Sequence, residues 1–230
     1  MNRWLTYFIA GWLLFAAWPA AAQNTPAPPP AAPSAPAAAN PQSAEDYFNL
    51  AKDRFRNGDL AGAERHVRTA IALKSRYTEA HYLLGRIKLY QSAQRNRLLI
   101  ENQAADVAAL PYDKSWKEGI PELQEAVSQF RTVVTLDPQG TDGWLALGVS
   151  LDNLGQKEEA INAYKQTINL DVMGHNARDA HNNLGLIYLS QEKYKEAKAE
   201  YEAALNIDPT FGAARLNLEK LKKKKPGIFK

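Results

Sequence analysis

The residues that could carry out chemistry are few in this 230-residue sequence, and their spacing assembles no known catalytic site. The four histidines, at positions 66, 81, 175 and 181, lack HExxH spacing, and the sequence contains no Gly-rich phosphate loop and no GxSxG motif. Cysteine is absent, which excludes thiol catalysis, disulfides and zinc–thiolate sites. We therefore predict a protein that is not an enzyme and that uses no metal or cofactor.

The first 22 residues have the organisation of a secretory signal peptide. A basic start at Arg3 precedes an apolar run from Trp4 to Trp18, and Pro19 separates that run from three small residues. The run is shorter than the ~20 apolar residues of a transmembrane helix, so cleavage after Ala22 is favoured over a retained anchor. This predicts an exported protein, either periplasmic or secreted.

Residues 23–43 form a segment rich in proline and alanine, with seven residues of each type. Such a composition cannot bury a core, and it favours an extended chain with polyproline II character. We interpret the segment as a disordered linker. A proline-rich docking peptide is the alternative interpretation.

From Ala44 onward, apolar residues recur at helical spacing, and a motif repeats along the chain. With an offset of 37, Gly185 aligns with Gly148 and Tyr201 aligns with Tyr164. "HYLLG" at 81–85 repeats "WLALG" at 144–148, and "EAVSQFRTVVTLDP" at 125–138 repeats "EAKAEYEAALNIDP" at 196–209. An earlier copy begins at residue 47, with Ala51 in place of the glycine. Small residues at fixed positions indicate helices that cross at close range.

These repeats resemble the tetratricopeptide repeat family, whose unit is a helix–turn–helix of 34 residues. The resemblance implies an all-α solenoid, a right-handed superhelix of such repeats, here of an exported bacterial type. We place four repeats at 44–77, 78–140, 141–174 and 178–211, with three extra residues before the fourth. Residues 212–230 are predicted to form a capping helix and a basic tail.

The second repeat is interrupted by 29 inserted residues between its two helices, at 92–120. The first part of the insertion has no Gly or Pro and is predicted to be helical. A turn-rich stretch with Tyr112 and Trp116 follows. The insertion is either a lengthened helix with a loop over the solenoid or an element that binds a specific partner, with Tyr112 and Trp116 as candidates.

In the family that this chain resembles, the first helix of each repeat lines a concave face that binds peptides or partner helices. The matching positions here mix aromatic, cationic and polar side chains, a composition typical of binding anchors. One subfamily clamps the C-terminal carboxylate of chaperones with groove cations, but only Lys52 is a cation among the corresponding positions. The candidate groove residues are Phe48, Lys52, Phe55, Tyr82, Arg86, Tyr90, Asp152 and Asn182.

The basic character of the chain is concentrated at its C-terminal end. The formal net charge is +3 and the pI is about 8.9, yet the last eleven residues hold six lysines and no acid. The pI is therefore no argument for nucleic acid binding by the folded body. The four lysines at Lys222, Lys223, Lys224 and Lys225 solubilise a capping helix or, alternatively, bind an anionic polymer or a membrane surface weakly.

We therefore expect an interaction scaffold or assembly module of the cell envelope, with a protein or peptide partner in its groove. The alternative is a binder of anionic envelope polymer or membrane through the lysine tail. Self-association of the solenoid stays open at this stage.

Overall fold

The computed structural model of the protein describes residues 42–102 and 120–229, with side chains of 96–102 excepted. The predicted signal peptide, nearly all of the predicted linker, and Tyr112 and Trp116 of the insertion lie outside the described residues. The described ranges form helices and turns and contain no strand. The helices are α1 (Ala44–Arg56), α2 (Leu60–Leu73), α3 (Thr78–Asn102), α4 (Ile120–Leu136), α5 (Thr141–Asn153), α6 (Lys157–Leu170), α7 (His175–Ser190), α8 (Tyr194–Ile207) and α9 (Gly212–Lys224).

The first eight helices pack as four consecutive helical hairpins, and each hairpin stacks on the next. The pairs are α1 with α2, α3 with α4, α5 with α6, and α7 with α8, and α9 packs on α8. One repeat alone leaves an apolar face uncovered, and stacking buries that face against the neighbouring repeat. The all-helical solenoid predicted from the repeats is thus confirmed.

Helix α7 begins at His175, earlier than the start of the fourth repeat that the alignment predicts at Arg178. The three residues interpreted as a spacer instead form the first turn of this helix. The Asn176 side chain donates to Thr141 Oγ1 at 2.8 Å and to Asp142 Oδ1 at 2.9 Å, which ties this turn to α5. A contact between repeats thus explains why the helix starts early.

The turns inside three of the hairpins place one residue in the left-handed backbone region. Gly58 and Gly155 have φ of 78°, where a residue without Cβ is unstrained. The equivalent turn between α7 and α8 holds Glu192 at φ 60°. A side chain at this position costs conformational energy that the two glycines avoid.

In the last three hairpins, a glycine of the first helix lies directly against an aromatic ring of the second helix. A Cβ placed on Gly85 would lie 2.7 Å from Phe130, one on Gly148 would lie 2.6 Å from Tyr164, and one on Gly185 would lie 2.5 Å from Tyr201. Real Cβ atoms essentially never approach so closely. The glycine in each Leu-Gly pair therefore leaves room for the ring of the following helix, which is itself buried.

The first hairpin reaches the same packing with a different pair of residues. Ala51 stands at the glycine position, and Val67 stands where the other repeats have an aromatic ring. Both side chains are fully buried in one core cluster. The larger residue on α1 is thus matched by a smaller one on α2, as expected for a close-packed interior of conserved volume.

A network of charged side chains connects the first two hairpins. Lys88 on α3 is only 8% exposed, and its Nζ lies 2.7 Å from Glu64 Oε1 on α2 and 3.1 Å from Glu125 Oε2 on α4. Arg68 pairs with both glutamates, and Gln91 Nε2 donates to Glu64 Oε2 at 2.8 Å. Lys88 stands where the fourth repeat has Tyr188 in the family's aromatic position, so an ionic contact replaces an apolar one.

The network changes the acidity of Glu64. Burial opposes its ionisation, but hydrogen bonds from Lys88, Gln91 and Arg68 outweigh this effect and lower the pKa of Glu64 to about 2. Since the unfolded chain binds a proton at higher pH than the folded chain does, this carboxylate stabilises the fold above about pH 4.5. The stabilisation is lost as the pH falls from there toward 2.

The C-terminal helix packs as the sequence predicts, but the residues after it add a contact of their own. Ala214 and Leu221 of α9 are buried. A 3₁₀ turn at Pro226–Phe229 then folds back, so that Phe229 and Ile228 pack beside Tyr201 of α8. The end of the described chain therefore covers the last hairpin with apolar side chains.

Replacing Gly185 by Ala should destabilise the protein by about 1–3 kcal/mol. The new methyl group meets the buried Tyr201 ring, and this overpacking exceeds the gain of up to about 1 kcal/mol in helix propensity. Urea unfolding followed by circular dichroism measures the change. The control is Gly212→Ala in α9, where a Cβ meets nothing within 4 Å and should cost nothing. Equal stability of the two variants would contradict the packing argument.

Replacing Glu64 by Gln should lower the free energy of unfolding at pH 7 by roughly 3 kcal/mol, the value of a shift from 4.5 to about 2. The difference from the wild type should shrink as the pH falls below 4.5, because the wild-type carboxylate then loses its advantage. Urea unfolding at a series of pH values checks this. Glu158→Gln, an exposed glutamate of α6, is the control, and a difference that does not depend on pH would be inconsistent with the network.

Candidate functional site

Six of the eight predicted groove residues lie together on α1 and α3. Phe48, Lys52 and Phe55 share one face of α1, since they are spaced at i, i+4 and i+7. Three residues of α3 follow with similar spacing. We call these six residues the α1–α3 strip; they are Phe48, Lys52, Phe55, Tyr82, Arg86 and Tyr90.

Ring and cation contacts join the strip across the two helices. The Phe55 and Tyr90 rings meet edge to face, with centroids 5.4 Å apart. The Arg86 guanidinium carbon lies 5.0 Å from the Phe55 ring centroid and 6.0 Å from that of Tyr82. On α1 itself, Lys52 Nζ lies 5.0 Å from the Phe48 ring. The cations are therefore held over aromatic faces, a favourable position for a positive charge.

The strip remains open to an incoming molecule. Tyr90 is 49% exposed and Arg86 is exposed, whereas Phe48, Phe55 and Tyr82 are half-buried. Within the described ranges, neither Lys52 nor Arg86 forms an ion pair. Aromatic side chains with a nearby Arg are the residue types that contribute most to protein interfaces.

A pocket of about 290 Å³ opens within the strip, between α1, α3 and the start of α5. Phe48, Tyr82 and Val133 supply apolar surface, and Lys52 and Arg86 supply positive charge. Acidic residues line the same pocket. They are Glu79, Asp137 and Asp142.

The charges around the pocket act on the Tyr82 hydroxyl in opposite directions. Burial is the largest effect and raises the pKa of Tyr82, Asp142 raises it further, and Arg86 lowers it. The tyrosine therefore stays neutral at physiological pH. Its hydroxyl lies between a negative and a positive side of the pocket.

Asp152 and Asn182, the other two predicted groove residues, do not join the strip. Asp152 on α5 is half-buried and pairs with Lys157 at the start of α6. Asn182 on α7 is only 8% exposed, and its Oδ1 accepts a hydrogen bond of 3.0 Å from Asn217 on the capping helix. The structure thus places both residues in contacts within the solenoid.

The lysine tail lies against the last hairpin. Lys225 Nζ is 4.7 Å and Lys224 Nζ is 5.4 Å from the Tyr194 ring centroid of α8, and all four lysines from Lys222 to Lys225 are exposed. On the same side, Lys198 Nζ lies 4.7 Å from the ring centroid of Phe229. The basic end of the chain is therefore part of the cap rather than a separate arm.

The histidines in the family's aromatic position have structural partners. His81 lies 2.9 Å from the Ser75 carbonyl and 2.7 Å from the Gln129 side chain, and His181 lies 2.6 Å from Glu200. In the part of the chain that the structure describes, no group of three or more His, Asp or Glu could hold a metal ion. Nor does that part include a helix long and apolar enough to cross a membrane.

Sequence reasoning missed two features of the site. Tyr77, in the turn before α3, packs its ring 4.9 Å from that of Phe48 and is 7% exposed. Asp137, in the turn after α4, lines the pocket from the end of the second repeat. Both residues lie between helices, outside the helical pattern that identified the other groove positions.

Comparison with protein families matches three segments of this chain to the tetratricopeptide repeat, at residues 48–92, 141–171 and 179–211. Among curated proteins, the small glutamine-rich tetratricopeptide repeat-containing protein 2 of Saccharomyces cerevisiae is 28% identical over 160 residues. The match covers 70% of this chain and 37% of the yeast protein, so this chain spans little more than a third of its relative. An uncharacterized protein of Haemophilus influenzae is 40% identical over 52 residues, which are 23% of this chain and 27% of that protein.

Solved structures show the same fold at low sequence identity. The MamA protein superposes with a TM-score of 0.61 and 20% identity, over 80% of this chain and 82% of that one. The tetratricopeptide repeat protein TTC0263 of Thermus thermophilus superposes with a TM-score of 0.58 and 22% identity, over 79% of this chain and 82% of that one. PilF of Pseudomonas aeruginosa superposes with a TM-score of 0.59 and 18% identity, over 80% of this chain and 69% of that one. The chain therefore contains tetratricopeptide repeats, and its described part folds as an all-helical solenoid of the kind that mediates protein–protein interaction.

Proposed function

We propose that this protein is an exported scaffold or assembly module of the cell envelope, which holds a segment of a partner protein against the α1–α3 strip. The observation that carries the proposal is the grouping of four aromatic rings with two cations on adjacent helices, on a face that is open to solvent. Tetratricopeptide repeats serve protein binding, and three segments of this chain match models of that repeat.

The proposal assigns the two halves of the solenoid different roles. The α1–α3 strip receives the partner, because Arg86 and Tyr90 are exposed and neither cation of the strip forms an ion pair within the described ranges. The later helices stabilise the array, since Asp152 pairs with Lys157 and Asn182 bonds to Asn217 of the capping helix α9. The envelope location rests on the signal-like sequence of residues 1–22.

A photoreactive amino acid in place of Tyr90 should crosslink one partner protein in cells. Tyr90 is half exposed at the open end of the strip, so a bound segment lies within reach of the probe. Arg86→Glu should reduce the adduct about tenfold, since an attractive charge contact with the partner is replaced by repulsion. Gel mobility and mass spectrometry measure the adduct.

A probe at Leu73, which is 56% exposed on the second helix of the hairpin, is the matched control. The same adduct in equal yield from both positions would contradict binding at the strip. Capture of lipid or glycan alone would argue for the lysine-tail alternative.

The protein purified from its native cells should begin at Gln23. Signal peptidase cleaves after a small-x-small sequence, and Ala20–Ala22 supply it. Mass spectrometry of the intact chain and of its N-terminal peptide reads the cleavage position. Recovery of a chain that still begins at Met1, from either the soluble or the membrane fraction, would contradict cleavage after Ala22 and favour a retained membrane anchor.

A further inference from the structure

The pocket in the α1–α3 strip has opposite charges at its two ends. At one end stand Lys52, in the C-terminal half of α1, and Arg86, seven residues after Glu79 on α3. Glu79, in the first turn of α3, Asp137 and Asp142 stand at the other end. The charge distribution therefore has a direction along α3, which a uniformly basic or acidic groove would lack.

The cationic end offers two positive charges in need of a counterion. Lys52 and Arg86 lie over the rings of Phe48 and Phe55, at 5.0 Å in both cases, and neither forms an ion pair among the described residues. The rings displace water from one side of each cation. A carboxylate that approaches from the other side would gain a strong, partly desolvated contact.

The carboxylates at the anionic end can likewise accept further hydrogen bonds or ion pairs. Asn176 donates to Asp142 Oδ1 at 2.9 Å, which fixes this carboxylate but occupies only one of its oxygens. Glu79 and Asp137 are exposed, and within the described ranges neither forms an ion pair. A basic side chain can therefore be received at this end.

The middle of the pocket is apolar and small. The residues that line the middle are Phe48, Tyr82, Leu83 and Val133, and the whole pocket has a volume of about 290 Å³. The apolar middle of the pocket can therefore receive an apolar side chain of a bound segment.

We propose that the occupant of the strip is an extended segment of a partner protein in which an apolar residue lies between an acidic and a basic residue. This inference rests on the proposed function and specifies its ligand. Glu79 and Arg86 are seven helical residues apart, which is roughly 10 Å along α3. An extended peptide rises ~3.3 Å per residue, so its two charged residues should be about three positions apart.

The test is a display library of random linear peptides, selected on the full chain that starts at Gln23. Enriched peptides should carry an acidic residue and a basic residue about three positions apart, with an apolar residue between them. Selection on Arg86→Glu should remove the preference for the acid, and selection on Asp142→Lys should remove the preference for the base. Arg65→Glu, at an exposed position on α2, is the matched control and should select the original peptides.

Exchanging the charges of one predicted pair tests whether Arg86 itself contacts the acidic residue of the peptide. An enriched peptide whose acidic residue is changed to Lys should lose affinity for the wild-type chain about tenfold and regain it on Arg86→Glu, as measured by fluorescence anisotropy. Circular dichroism shows that each variant is folded.

Three outcomes would overturn this inference: no enriched peptide, enriched peptides without the charge order, or equal enrichment on Arg86→Glu and wild type. In each case, the Tyr90 crosslink in cells decides separately whether a partner occupies the strip. Failure of the ligand inference and failure of the proposed function are thus distinguishable.

Discussion

The rest of the solenoid depends on a close contact between a small residue and a larger one inside each hairpin. In the last three hairpins this is a glycine against an aromatic ring. Gly148 and Gly185 admit Tyr164 and Tyr201 at distances that no Cβ would tolerate, and Gly85 admits Phe130. The first hairpin shows that the volume matters rather than the residue types, because Ala51 is matched there by Val67. Each hairpin forms the surface on which the next one stacks. A substitution that alters this contact would therefore also alter the stacking of the neighbouring hairpins.

This packing also determines which surface is left for binding. In each hairpin, the side of the first helix that packs on the second helix is buried in the core. The six residues of the strip lie on α1 and α3, where Arg86 and Tyr90 are exposed. The rings of Phe48, Phe55 and Tyr82 also pack against the core. On α7, by contrast, the capping helix covers Asn182 through Asn217. The proposed binding surface therefore lies in the first half of the array, where Arg86 and Tyr90 are exposed.

The repeats, the helix types and the positions of the close contacts could be predicted from the sequence, because each depends on local periodicity and on residue size. Contacts between repeats could not. The start of α7 at His175 depends on Asn176 reaching α5, and the burial of Lys88 depends on glutamates from two other helices. For the site, the mapping of the family's groove positions onto this sequence named the six strip residues, which the structure brings into ring and cation contacts on α1 and α3. It could not distinguish Asn182, which occupies an equivalent face but is covered by α9.

A pocket with opposite charges at its ends has consequences for specificity more than for affinity. Each exposed ion pair contributes modestly, and desolvation offsets part of the gain. A reversed segment, however, would place its acidic residue against Asp142 and its basic residue against Arg86, and both contacts would be repulsive. The penalty for the wrong orientation is thus larger than the gain for the right one, which is how charge placement selects partners. The apolar centre supplies binding energy without regard to direction, and the charges at the two ends fix the direction in which a bound chain runs.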